Sequence, residues 1–159
     1  MTLHACKEFP YSLDVAWTAL HQPDKLDVEP GSEVQPVSAT EWQAHNAENG
    51  SVTTYTASFD DENKKLTIEG ASNKKHDHDF IYLTLRGLAQ DRVALEIDIE
   101  LNTGVHLLAK ALGKLLAKPM MDILSRQIYH NFEALCSGQE TKRMSADELK
   151  DIAAKTMEK

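Results

Sequence analysis

The chain has seven histidines, two cysteines, two tryptophans and four tyrosines from which to build chemistry. His76 and His78 alternate with Asp77 and Asp79, and on an extended segment 76 and 78 point to one side, as two metal ligands could. No third ligand stands at a zinc-like spacing. The run Asn73–Asp79 is polar throughout and reads as a solvated turn entering a strand. Cys6 and Cys136 are far apart in sequence. Neither has an adjacent base that would make a thiolate nucleophile, so both read as buried structural residues. No GxSxG, HExxH, P-loop or GxGxxG pattern occurs. The sequence therefore assigns no catalytic residue, no metal site and no cofactor.

A second set has side chains suited to a binding cavity. Trp42, Tyr55 and Tyr82 are aromatic residues on expected strands, Arg86 is a cation on one, and His130 lies on an expected helix. An inward arginine or histidine would anchor the polar end of a ligand or move a proton near neutral pH. The alternatives are a solvated charge on the convex face for Arg86, and a surface or satisfied core histidine for His130. Trp42 and Tyr55 have the alternative of plain core residues. Leu108 and Leu112 would face these groups from the helix and complete an apolar lining.

These residues depend on two kinds of element. Thr2–Phe9 reads as a first strand, stopped by Pro10. Ser12–His21 reads as a short helix, with Val15, Ala16, Ala19 and Leu20 on one side and a further turn at Pro23–Leu26. From Gly31 to Leu101 the hydrophobic period is near 2. Val34–Thr40 is interrupted by Pro36, which suits an edge. Thr40–Asn46 is followed by the turn Asn49-Gly50. Then come Val52–Phe59, Lys65–Gly70, Asp79–Leu88 and Arg92–Leu101. In the last of these, Val93, Leu95, Ile97, Ile99 and Leu101 alternate with Ala94, Glu96, Asp98 and Glu100. Short strands joined by tight turns form an antiparallel meander.

After residue 104 the period becomes helical. Leu108, Leu112, Leu116, Ile123, Ile128 and Phe132 recur at three- and four-residue steps up to Cys136, with a bend or break expected at Pro119. Lys110, Lys114 and Lys118 are spaced four apart and read as the solvent side of that helix, the alternative being a patch for an anionic ligand or a membrane. Gly138 ends it. Ser145 and Glu148 form a capping box for a last short helix, whose thin apolar side suggests a dispensable, mobile tail. The domain is expected to span 1–138 and the tail 139–159.

A chain of 159 residues with 42% hydrophobic residues is long enough for one domain with its own core. Its net charge of -8 argues against sequence-independent nucleic-acid binding and against stable association with anionic membranes. Its acidity is concentrated before residue 105. The longest apolar stretch is broken by lysines, so no transmembrane span is expected. Sparse cysteines and the lack of a leader pattern give a reduced, cytoplasmic reading.

Asp14-Val15-Ala16-Trp17-Thr18-Ala19-Leu20, the loop Gln22-Pro23-Asp24-Lys25-Leu26, Trp42 in an early strand, and Gly104–Phe132 ending in Asn131-Phe132-Glu133-Ala134-Leu135 together resemble the START-like, or SRPBCC, helix-grip superfamily. This superfamily includes pollen-allergen-like and polyketide cyclase-like proteins. The resemblance covers residues 1–138, and the Gly-rich loop of the plant allergens is missing. It implies an α+β fold with a curved antiparallel β-sheet wrapped around a long C-terminal α-helix. It also implies a cavity for a lipid-like, aromatic or polyketide-like molecule.

The leading expectation is binding of a small hydrophobic ligand between sheet and helix without chemistry. One alternative is a cyclase- or hydratase-like enzyme acting on an aromatic or polyketide-like substrate. The other is a protein-interaction module, a homodimer included.

Overall fold

The structure, a computed structural model, describes residues 2–47, 50–73, 78–101 and 117–157. Seven strands form one antiparallel sheet. They are β1 (Thr2–Phe9), β2 (Glu33–Pro36), β3 (Glu41–His45), β4 (Val52–Asp60), β5 (Lys65–Ser72), β6 (His78–Ala89) and β7 (Arg92–Glu100), in spatial order β1-β7-β6-β5-β4-β3-β2. Strands β2 to β7 follow one another as a meander. The first strand closes the far side by pairing with the last, Phe9 opposite Val93 and Thr2 opposite Glu100. The helices are α1 (Leu13–Ala19), α2 (Ala117–Ser137) and α3 (Ala146–Met157), with a 3₁₀ turn at Pro23–Leu26. This is the helix-grip arrangement, a curved antiparallel sheet around a long C-terminal helix.

Alternation along each strand sets the two faces. Leu66, Ile68, Ile81, Leu83, Val93, Leu95, Ile97 and Ile99 are all buried on the inner side. The register lines them up in rows across the strands, such as Ala57–Ile68–Ile81–Ile99 and Phe59–Leu66–Leu83–Ile97. Met121, Leu124, Ile128 and Phe132 of α2 join the same core, which continues through Trp17, Leu20 and Leu26. Ser12 caps α1 by accepting from the Val15 amide at 3.2 Å. Trp17 ties that helix to the β4–β5 turn through a 2.8 Å bond from Nε1 to Asp61 Oδ1.

Pro36 lies at the end of β2, the edge strand expected from the sequence. Pro119 is in the first described turn of α2. The residues before Ala117, where the expected bend would be judged, lie outside the described residues. So do Leu108, Leu112, His76 and Asn49. Cys6 is corrected: it is exposed, because β1 turns it to the outer face opposite Glu96, and Cys136 is only partly covered.

Ser145 caps α3 as expected, accepting from the Glu148 amide at 3.1 Å. The segment leading to that helix is fastened to the body. Lys142 donates its amide to Asn131 Oδ1 at 2.7 Å, and Leu149 is buried beside Ile123. The expectation of an untethered tail does not match these contacts.

Replacing Ile97, which is fully buried, with alanine should cost about 2–5 kcal/mol in chemical denaturation, from lost transfer energy plus a cavity. A loss below about 1 kcal/mol would contradict this packing.

Candidate functional site

One row of the inner face is different from the rest. Trp42 of β3 pairs with Tyr55 of β4, Tyr55 with Gly70 of β5, and Gly70 with Asp79 of β6. The two rows named above hold apolar side chains. Here an indole, a phenol, a bare backbone and a carboxylate stand side by side, with Trp42, Tyr55 and Asp79 all buried. Gly70 makes the arrangement fit. A Cβ at that position would be 2.6 Å from Tyr55 Cε1, so the phenol ring lies where a side chain would otherwise stand. Trp42 stacks on the other side of the ring, with centroids 5.6 Å apart.

The loop between the 3₁₀ turn and β2 brings a second carboxylate to the row. Tyr55 Oη donates to Glu29 Oε1 at 2.9 Å, and Ser32 Oγ donates to Glu29 Oε2. The Thr53 hydroxyl, one inward step along β4 from Tyr55, also favours the charged form of this carboxylate. Glu29 keeps some exposure as a residue, but its carboxyl end is enclosed. Burial pushes its pKa above the ordinary carboxylate range. The bonds from Ser32 and Tyr55 and the nearby Thr53 hydroxyl oppose that rise, and the charge of Asp79 adds to it. Tyr55 is raised well above an ordinary phenol, first by burial and then by the charges of Glu29 and Asp79. The phenol therefore keeps its proton near neutral pH and serves as a donor, while Glu29 is the group able to gain or release one.

The residues expected to line a site divide between the two faces. The structure brings Trp42 and Tyr55 together on the inner face. Tyr82 and Arg86 are on the outer face, because they share the parity of Phe80 and Thr84. Arg86 is exposed and pairs with Glu96 at 3.5 Å, while Tyr82 stacks with Phe80. His130 is exposed on α2. None of these three joins the Tyr55 row, so the inward placement considered for Arg86 and His130 is corrected.

Glu29, Ser32, Thr53 and Gly70 were not singled out by the sequence reading, and Asp79 was considered only beside His76 and His78. For Asp79 a signal existed: it has the parity of Ile81, Leu83 and Leu85, all buried. Glu29 lies in a loop without periodicity and carried no such signal. Among the described residues, no group of three or more His, Cys, Asp or Glu could hold a metal ion. No helix among them is long and apolar enough to cross a membrane.

Two predictions follow from this geometry. Gly70→Ala should displace the Tyr55 ring, lowering stability by about 1–3 kcal/mol and changing the emission of the stacked Trp42. Unchanged emission and stability would contradict the close approach. The raised pKa of Glu29 means that the folded chain binds more protons than the unfolded chain between the ordinary glutamate range and the raised value. Stability from this group should therefore fall as pH rises through that window. Asp27, also raised by burial, acts with the same sign. Glu29→Gln should flatten the slope of stability against pH without abolishing it, as measured by urea titrations at several pH values.

No family model matches the chain, and no curated protein matches it. Solved structures do. Truncated norcoclaurine synthase from Thalictrum flavum aligns over 80% of this chain and 90% of its own, with 12% identity and a TM-score of 0.55. A START superfamily protein from Mycobacterium smegmatis aligns over 84% of this chain and 98% of its own, with 11% identity and a TM-score of 0.51. The di-domain ARO/CYC StfQ of the steffimycin biosynthetic pathway aligns over 84% of this chain, at 10% identity and a TM-score of 0.55. This chain spans 44% of that longer protein. With the strand order and the long closing helix, these likenesses show that the chain has the helix-grip fold of START-type, SRPBCC proteins.

Proposed function

We propose that the chain binds a small aromatic or polyketide-like molecule against the inner face of the sheet and carries out acid–base chemistry on it, as a cyclase- or hydratase-like enzyme. The observation that carries this reading is the enclosed Glu29 carboxyl hydrogen-bonded to the buried phenol of Tyr55, beside Asp79. Beyond that row the inner face is mostly apolar. An apolar wall ending in a few polar groups suits a ligand with a hydrocarbon body and one oxygenated end. Norcoclaurine synthase and the ARO/CYC protein, which share the fold, are both named for making or remodelling small molecules.

In this reading Glu29 accepts a proton from the carbon next to a substrate carbonyl. The electron pair moves onto the carbonyl oxygen, which receives a hydrogen bond from Tyr55 once the protonated Glu29 no longer takes the phenol proton. The pair then returns to form a C=C bond as the C–O bond at the β-carbon breaks, and Glu29 gives its proton to the departing hydroxyl, which leaves as water. Burying roughly 300 Å² of ligand surface gives about 7.5 kcal/mol before association costs, so the affinity after those costs is micromolar or weaker.

The test has two parts. The neutral probe N-phenyl-1-naphthylamine should bind saturably and be displaced by aromatic ketones. Deuterium from solvent should enter the α-carbon of those ketones, and Glu29→Gln should slow that exchange by roughly 10²–10⁴-fold. Saturable binding with exchange unaffected by the substitution would leave a carrier without chemistry. No saturable binding would overturn both readings and leave the interaction module.

A further inference from the structure

The loop that carries Glu29 is held from both sides. Glu29 turns inward to accept from Tyr55, and Ser32 donates to Glu29. Asp27 and Gly31, which bracket Glu29, turn the other way and are held by the segment after α2. Asp27 Oδ2 accepts from the Met144 amide and from Gln127 Nε2, both at 2.9 Å. The Gly31 amide donates to the Met144 carbonyl at 3.0 Å. A Cβ on Gly31 would be 3.0 Å from Leu149 Cδ2 and 3.6 Å from the Ala146 backbone, so α3 lies directly on the loop.

The segment itself is anchored from below. Asn131, fully buried on α2, exchanges two bonds with Lys142 and also donates to the Leu26 carbonyl. Arg143 donates to the Asp24 carbonyl at 2.7 Å. The loop needs such a hold. Asp27 and Gly31 both have positive φ, at 60° and 88°, and Asp27 Oδ1 is buried with no hydrogen-bond partner. A left-handed backbone and a half-satisfied carboxylate persist only where the surroundings fix them.

We propose that residues 139–157 act as a strap that positions the 27–32 loop, so that Leu149 and Met144 are positioning residues for Glu29. This rests on the reading of Glu29 as the acid–base group, but its first test needs no ligand. Hydrogen exchange followed by NMR on the full-length chain would compare Leu149→Ser with the conservative Leu149→Met.

In Leu149→Ser the amides of Gly31 and Ser32 should lose at least about tenfold of their protection. Those of β5, β6 and β7 should keep theirs, and Leu149→Met should behave as the unaltered chain does. The Tyr55 phenol should also titrate closer to the ordinary tyrosine range, because Glu29 no longer seals it.

Two results would overturn the strap. In one, α3 exchanges freely while Gly31 and Ser32 stay protected. In the other, every strand loses protection in parallel, which would make the segment a general stabiliser. If the loop loosens as expected but Glu29→Gln has no effect on ketone exchange, the strap stands and the catalytic reading fails.

Discussion

An antiparallel sheet with one dry face must have that face covered, and most of this molecule answers that demand. Seven strands put an aliphatic field on one side, and the side chains of α2 and α1 fill against it. Within such a field a polar group is tolerated only when it is hydrogen-bonded. Glu29 meets that condition with bonds from Ser32 and Tyr55. The carboxylate and the phenol are therefore compatible with the core because they satisfy one another. The same enclosure that makes the row costly to keep is what shifts Glu29 and Tyr55 away from their solution behaviour.

The sheet was legible because its physics is local and periodic. Two-residue alternation located β4 to β7 to within a few residues, and Pro36 marked the edge. The Ser12 and Ser145 caps were visible as residue types at fixed offsets. The site was legible only where it shared that periodicity. Trp42 and Tyr55 follow from strand parity, and Asp79 could have been found the same way. Arg86 and Tyr82 were selected for their chemistry against the parity of their own strand, and the structure puts them on the outer face. Glu29 and Ser32 come from a loop shaped by contacts with residues more than a hundred positions away, such as Asp27 with Met144. No window of sequence contains that information. Cys6 was misjudged for a related reason: on a strand, residue type is a weaker guide to burial than parity.

Gly70 links the two levels. As sequence it is one glycine in a strand, which usually signals weakness or a bulge. As structure it is the gap that lets a phenol lie flat between two strands and reach a carboxylate supplied by a loop. A strand residue that packs nothing itself thus determines which groups meet.

The Pro36 end of β2 bears on how the molecule behaves in company. An open sheet has two free borders, and each is a template on which another chain can add a strand. The border at β2 is four residues long and ends at a residue with no amide hydrogen to offer. A newcomer there would find few rungs and one missing donor. At high concentration this border should resist growth into stacked or fibrous sheets.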